Sequence, residues 1–255
     1  MCKNLLFHSY YLFVIIMELV ETGIPGLDKI LGGGLPKGRT ILLAGPAGGG
    51  KSTFGHQFLY HGIVSAGETG IFVSFDEHPE HVRQQCLNFG WNLRELEEQD
   101  LLVIIDGFSP RAGVSSNEKF QTPVDVDELI NQLITTIDGI GAERVVIDSI
   151  TALALSMASE QQIRREILKL SAVMSSLDCT TILTSEMAGT EVSRFGVEEF
   201  MSQGVIVLNY KFVNTLGVRS LNIRKMRGQK HEMMERPFTI TKSGIIVHVD
   251  EQFYF

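Results

Sequence analysis

The chain has 255 residues, of which 44% are hydrophobic and 20% charged, so it can bury a full core and is not mainly disordered. Its 22 Lys and Arg against 30 Asp and Glu give a formal net charge of -8, which argues against clamping nucleic acid by bulk electrostatics. Three widely spaced cysteines exclude a disulfide framework and a cysteine-based zinc site, and they favour a reducing, cytoplasmic compartment.

The first 17 residues differ in composition from the rest of the chain. Between Asn4 and Met17 there is no charged residue, and the segment LLFHSYYLFVIIM is almost wholly apolar. A signal peptide or membrane anchor would have this character, but the run is shorter than the ~20 residues that span a bilayer, and no small-residue cleavage site follows. We predict an apolar leader over 1–17 outside the mature protein, with Met17 as the initiator. A short packed or interfacial arm is the alternative, and no later stretch predicts a membrane span.

From Val20 onward, short apolar runs alternate with helical patterns. The apolar runs predict strands over 40–44, 69–74, 101–105, 144–147 and 180–184. The patterns between them predict helices over 51–64, 79–88, 125–140 and 161–177. Continuous apolar strands separated by helices indicate a parallel sheet covered on both faces. Closely spaced later strands, over 205–210, 218–225, 238–240 and 245–249, predict an antiparallel extension. No repeat or linker divides this body, so we predict one α/β domain over 18–255.

A glycine-rich loop between the first predicted strand and helix is the strongest functional signal. Residues 45–52, GPAGGGKS, fit the phosphate-loop (Walker A) pattern G-x-x-x-x-G-K-[ST] at every required position. The glycines let backbone N–H groups close around a β-phosphate, Lys51 brings a positive charge, and the Ser52 hydroxyl can ligate Mg²⁺. The helix that begins at Lys51 adds its positive dipole end. We predict nucleoside triphosphate binding by Gly45, Gly48, Gly49, Gly50, Lys51, Ser52 and Thr53.

Carboxylates follow two other predicted strands. Residues 145–149, VVIDS, form an apolar strand that ends in a carboxylate, the Walker B pattern, so Asp148 is predicted to hold magnesium through water. Asp76 and Glu77 follow the strand after the phosphate-loop helix, which places them beside the γ-phosphate. We predict that this pair activates the attacking water, with an N-terminal cap for the helix at Pro79 as the alternative.

Two cations stand two residues apart at the end of a later predicted strand. The period of a strand points Lys225 and Arg227 to one face, where they could neutralise charge on a transferred phosphate, as an arginine finger does. A solvated strand end within a basic stretch is the open alternative.

With these motifs in hand, the sequence resembles the KaiC-like branch of the RecA superfamily of P-loop ATPases. The likeness runs from Val20 to about Val249 and includes TGIPGLD (22–28), GGGLPKG (32–38), FVSFDE (72–77), FGW (89–91), RFGVEEF (194–200), KMRG (225–228) and PFTIT (237–241). It implies a RecA-like core, a mainly parallel sheet flanked by helices, with the C-terminal antiparallel extension.

The resemblance also implies roles for individual residues. Members of this branch form hexameric rings with ATP and Mg²⁺ at subunit interfaces, so further copies of the chain are expected partners. Lys225, Met226 and Arg227 match residues that reach the neighbouring subunit's ATP, and His231 matches a contact from the same strand and loop. Asp76 and Glu77 match a pair of catalytic glutamates. The shorter Asp side chain implies slow water activation or Glu77 as the main base.

The expected function is a slow Mg-dependent ATPase ring that regulates a partner protein. Autokinase activity is not expected, because Glu199 and Phe200 stand where two-domain members carry phosphorylated Ser and Thr in their second domain. Two alternatives stay open: a nucleotide-gated assembly module with negligible turnover, and a RecA-like recombination or repair protein. DNA binding is disfavoured because segment 186–203 holds four Glu against one Arg.

Overall fold

The structure, a computed structural model, describes residues 17–123, 125–155, 157, 159–187, 192, 194–196, 198–213 and 215–251. Except for Met17, the predicted apolar leader lies outside these residues and stays a prediction. Among the residues described, no helix is long and apolar enough to cross a membrane.

A mixed β-sheet organises the fold. In chain order the strands are β1 (Leu19–Val20), β2 (Leu35–Pro36), β3 (Thr40–Gly45), β4 (Gly70–Ser74), β5 (Leu102–Asp106), β6 (Arg144–Asp148), β7 (Thr180–Glu186), β8 (Gly204–Val213), β9 (Leu216–Met226), β10 (Arg236–Thr241) and β11 (Gly244–Val247). β1 and β2 pair with each other, and the remaining strands form one sheet in the order β11-β10-β9-β8-β3-β7-β6-β4-β5. Pairing is parallel from β8 through β3 to β5 and antiparallel from β8 to β11, as the sequence predicts.

Helices pack on both faces of this sheet. They are α1 (Leu27–Leu31), α2 (Lys51–His61), α3 (Pro79–Asn88), α4 (Leu93–Glu98), α5 (Phe108–Ala112), α6 (Val126–Ile140), α7 (Ile150–Ala154), α8 (Glu160–Ser176) and α9 (Glu198–Met201). Along β3, Ile41 and Leu43 belong to the core shared with α2 and α3, whereas Leu42 and Ala44 belong to the core shared with α6 and α8. This two-sided burial explains why the strands are continuous apolar runs.

The predicted elements are confirmed, with boundaries that differ by a few residues. One of the two largest differences, three residues, follows the phosphate-loop helix, where α2 ends at His61 and a π-helical turn occupies Gly62–Ala66. A Cβ at Gly62 would lie 2.2 Å from Nε of Arg144, so the glycine leaves room for this buried guanidinium. Helices α1, α4, α5, α7 and α9 are not predicted, because six residues or fewer are too short to show a helical period.

A buried histidine in α2 predicts how stability depends on pH. The ring of His56 packs on Phe72, with centroids 4.7 Å apart, and its Nε2 has no hydrogen-bond partner among the described residues. Burial lowers the pKa of His56 from 6.5 to about 4. Because the unfolded chain binds this proton at a higher pH than the folded chain does, stability should be full above pH 6.5 and fall as the pH drops towards 4.

The test is urea unfolding of the wild type and of His56→Leu across this range. We expect the wild type to lose up to about 1.4 kcal/mol per pH unit more than the variant does. Stability curves that run parallel between pH 7 and the acid limit would contradict a neutral, buried His56.

Candidate functional site

The phosphate loop and the carboxylates with predicted chemistry follow neighbouring strands that end at one edge of the sheet. In the parallel registers, Gly45 of β3 lies opposite Glu186 of β7, and Ser74 of β4 lies opposite Asp148 of β6. The carboxyl ends of β3, β7, β6 and β4 therefore lie side by side, and the phosphate loop, Asp148 and the Asp76–Glu77 pair all come to this edge. We call it the carboxyl edge.

The phosphate loop joins β3 to the first turn of α2. Gly48 and Gly50 have φ values of 73° and 99°, a backbone conformation that side chains rarely adopt, and Gly48 faces open space. The Lys51 ammonium lies across the loop and donates to the carbonyl oxygens of Gly45 at 2.9 Å and Pro46 at 3.1 Å. Ser52 and Thr53 follow it in the first turn of α2, and both are half-buried.

Asp148 provides a buried carboxylate near Lys51. It is 8% exposed, and its Oδ1 accepts a hydrogen bond from the Thr184 hydroxyl of β7. Burial lowers the pKa of Lys51, and the negative charges of Asp148, Glu186 and Asp76 partly oppose that shift. The edge thus combines one desolvated cation with several carboxylates.

The described residues contain no group of three or more His, Cys, Asp or Glu that could hold a metal ion by protein ligands alone. Magnesium beside phosphates does not need such a group, because it keeps several waters and takes one or two protein oxygens together with phosphate oxygens. The Ser52 hydroxyl and the Asp148 carboxylate are oxygen donors of the kind that Mg²⁺ prefers.

The Asp76–Glu77 pair lies in the bend between β4 and α3. Neither residue caps α3: the N-cap is His78, whose Nδ1 accepts the backbone N–H of Glu80 at 3.2 Å. The alternative role of this pair as the N-terminal cap of α3 is therefore wrong. The sequence analysis considered only carboxylates as capping acceptors, whereas the acceptor here is a histidine ring. Glu77 Oε1 accepts a 2.6 Å hydrogen bond from Nε2 of Gln85. Asp76 pairs with Nη1 of Arg111 on α5 at 3.3 Å.

An ion-pair cluster fixes α3, and hence the bend that carries Glu77. The side chain of Arg83 is 10% exposed and contacts Glu97 and Glu118, each through two hydrogen bonds of 2.7–2.8 Å. These bonds tie α3 to the end of α4 and to the segment after α5. The second arginine of this region, Arg94, pairs with Glu80 from a side chain that is 59% exposed.

Lys225, Arg227 and His231 do not lie at the carboxyl edge of their own chain. Met226 pairs with Gly204, and Gly204 pairs with Ile41 near the start of β3. Ile41 and Gly45 are four residue steps apart along β3, about 13 Å at ~3.3 Å per residue. We call this opposite side the amino edge. Within one chain, the structure therefore keeps Lys225 and Arg227 apart from Lys51 of the phosphate loop.

At the amino edge, Lys225 Nζ donates to the carbonyl oxygens of Glu199 at 2.7 Å and Ser202 at 2.6 Å. Met226 is buried in the core, so its side chain does not face solvent. Nδ1 of His231 lies 3.1 Å from the carbonyl oxygen of Glu232 in the loop that follows. A cavity of about 600 Å³ opens here, lined by Glu199, Phe200, Val205, Arg224, Lys225 and Arg227.

Sequence reasoning missed three polar residues at the carboxyl edge. Gln85 and Arg111 contact the predicted catalytic pair, and Nε of Arg219 donates to the carbonyl oxygen of Gly48 at 3.1 Å while its guanidinium lies over the Tyr210 ring. Arg111 is 35 residues from Asp76, and Arg219 is 171 residues from Gly48. Gln85 lies only eight residues after Glu77, on the predicted helix that follows, whereas the other two contacts leave no local signal.

The Arg83 cluster gives a prediction about stability. Arg83→Ala should lower the free energy of unfolding by at least about 2 kcal/mol, because it leaves two half-buried carboxylates without their partner. Arg94→Ala, the matched control at an exposed pair, should cost less than about 1 kcal/mol. Urea unfolding at pH 7 measures both, and equal losses would contradict a special role for Arg83.

Comparisons with known proteins identify relatives over nearly the whole chain. The family model described as "ATPase: KaiC" matches residues 20–252. A UPF0273 protein of Methanocaldococcus jannaschii is 42% identical over 240 residues, which cover 92% of this chain and 98% of that protein. A circadian clock oscillator protein KaiC of Acaryochloris marina is 39% identical over 228 residues, which cover 89% of this chain and 43% of that protein.

A solved structure extends the likeness to the fold. The crystal structure of a KaiC-like protein from the hyperthermophilic archaeon Pyrococcus horikoshii OT3 matches with a TM-score of 0.81 at 37% sequence identity. The match covers 91% of this chain and 100% of that one. Because the family model spans most of the sequence and an archaeal relative matches over nearly all of its own length, this chain belongs to the KaiC family of ATPases.

Proposed function

We propose that this chain is a Mg-dependent ATPase whose residues 18–255 form one ATPase domain. We further propose that the chain assembles into a homo-oligomeric ring, a hexamer, and that the nucleotide bound by this ring regulates a partner protein in the cytoplasm. The observation that carries the proposal is the separation of charges by the sheet: the phosphate loop and the carboxylates share one edge, and Lys225 and Arg227 lie at the other. Each edge offers half of a phosphoryl-transfer site.

At the carboxyl edge, the residues fit a bound triphosphate with magnesium. The loop from Gly45 to Gly50 offers backbone N–H groups, and the helix dipole of α2 adds positive potential at its first turn. Lys51 would exchange its two carbonyl acceptors for phosphate oxygens, which are stronger acceptors because they are charged. Ser52 and Asp148 would hold Mg²⁺, which neutralises charge on the phosphates when it is bound.

The water-activating role falls mainly to Glu77. Its carboxylate keeps one oxygen on Gln85, so the hydrogen bond orients the group and leaves the other oxygen for a water. Asp76 is one methylene shorter than glutamate and contacts Arg111, so it contributes less as a base. The same contact is the observation that favours the second candidate, a nucleotide-gated module with negligible turnover.

At the amino edge, Lys225 and Arg227 lie where a second copy could present its phosphate loop. They are too far from the loop of their own chain to reach the same phosphates, because the length of β3 lies between them. In a ring with head-to-tail contacts, the amino edge of one subunit meets the carboxyl edge of the next. Two cations would then stabilise the charge of the transition state across the interface, with Met226 and His231 in the adjoining main chain and loop.

Phosphate release measures the proposed activity. We expect slow, Mg-dependent release by the wild type and background rates for Lys51→Ala, which removes the charge on the phosphate loop. Glu77→Gln keeps the shape and the contact to Gln85 but removes the base, so it should lose at least about 100-fold in rate while still binding a fluorescent ATP analogue. Asp76→Asn should lose less.

The outcome separates the two candidate functions. If the wild type binds nucleotide and releases phosphate no faster than Glu77→Gln, the ATPase proposal fails and the nucleotide-gated module is the better description. If neither protein binds nucleotide, both candidates fail.

A further inference from the structure

A buried carboxylate on α9 connects the two edges of the sheet. The segment from α9 to β8 runs from the carboxyl edge, where Ser185 is the last but one residue of β7, to the amino edge, where Gln203 hydrogen-bonds to Thr40. We propose that Glu198, the first residue of α9, is a positioning residue that holds Lys225 in place for the neighbouring subunit's phosphate. The inference rests on the proposed function.

The side chain of Glu198 is fully buried, although carboxylates at the first residue of a helix are usually exposed to solvent. The residue is 1% exposed, and its Oε1 accepts hydrogen bonds from the Ser185 hydroxyl at 3.2 Å and from the backbone N–H of Phe195 at 3.4 Å. Burying a carboxylate is unfavourable unless donors satisfy it, so its side chain is committed to this one arrangement. The contact fixes the start of α9 against the end of β7.

The other end of α9 fixes Lys225. The Glu198 carbonyl oxygen accepts from both the backbone N–H of Ser202, at 3.2 Å, and its hydroxyl, at 2.6 Å, which closes the helical turn. The carbonyl oxygens of Glu199 and Ser202 in turn receive Lys225 Nζ. The position of the ammonium therefore follows the position of α9, through the carbonyl oxygens of Glu199 and Ser202.

The hydrogen bond between Glu198 and Ser185 connects α9 to the carboxyl edge, which carries the phosphate loop. Ser185 Oγ lies 3.3 Å from the Thr151 hydroxyl, which accepts the backbone N–H of Glu186 at 3.0 Å. Ser185 pairs with Ala44 and Glu186 with Gly45, so this hydrogen-bonded group borders the start of the phosphate loop. A shift at the loop can thus be passed through Glu198 to the lysine that serves the next subunit.

Three variants test the role of Glu198 in phosphate release. Glu198→Ala should lower kcat by about 10- to 100-fold with little change in KM, because a misplaced group acts on the transition state. Glu198→Gln is the matched control: its amide oxygen can accept the hydrogen bonds from Ser185 and Phe195, so it should recover most of the rate. Should Glu198→Ala fail to fold, Ser185→Ala removes the same contact from the other partner and should lower kcat in the same way.

A double-mutant cycle separates positioning from general damage. In a Lys225→Met background, Glu198→Ala should cause almost no additional loss, because the lysine through which it acts is already gone. A loss as large in that background as in the wild type would overturn the proposal.

A measurement that needs no hydrolysis keeps this test apart from that of the ATPase. Limited acetylation followed by mass spectrometry reports how fast the Lys225 amine reacts in the protein without nucleotide. We expect faster acetylation in Glu198→Ala than in the wild type and in Glu198→Gln. Equal rates would overturn the positioning role, whereas a wild type without phosphate release would count against the ATPase alone.

Discussion

The pairing of β3 with β7 on one side and β8 on the other is the constraint on which the site depends. Parallel pairing through β7, β6 and β4 brings the ends of four strands to the carboxyl edge. Because β9 runs antiparallel to β8, its end returns to the amino edge and takes Lys225 and Arg227 with it. One central strand thus decides which charges can meet within a chain and which can meet only between chains.

The charge distribution fits this separation. The chain is acidic overall, but two of its candidate site cations are held by main-chain groups: Lys51 by two loop carbonyls, and Lys225 by the carbonyl oxygens of Glu199 in α9 and of Ser202 just after it. Burial lowers the pKa of both amines. A desolvated ammonium on neutral acceptors gains from a charged phosphate oxygen, so the same construction suits both sides of a shared site.

The sequence predicted most of the architecture because the relevant signals are local. Buried strands are continuous apolar runs, and the phosphate-loop pattern occupies eight consecutive residues. The positions of β3 and of the start of α2 could therefore be predicted from the amino-acid sequence alone. The cap of α3 could not, since His78 is not among the residues that usually cap helices. Arg111 and Arg219 approach the site through tertiary packing, across 35 and 171 residues of chain. In the sequence, Glu198 is one of four glutamates in segment 186–203. Its burial and its hydrogen bond with Ser185 distinguish it from the others, and both are visible only in the structure.

The central claim, that one chain supplies the phosphate loop and another the cations, is tested most directly by mixing two inactive variants. Lys51→Ala keeps Lys225 and Arg227 but loses the loop charge, whereas Arg227→Ala keeps the loop and loses a cation. Each variant alone should release phosphate at background. In an evenly mixed ring, whose formation light scattering confirms, about a quarter of the interfaces would join an intact loop to an intact cation, and activity should return. A mixture that assembles and stays at the background of its two components would contradict a site completed between chains.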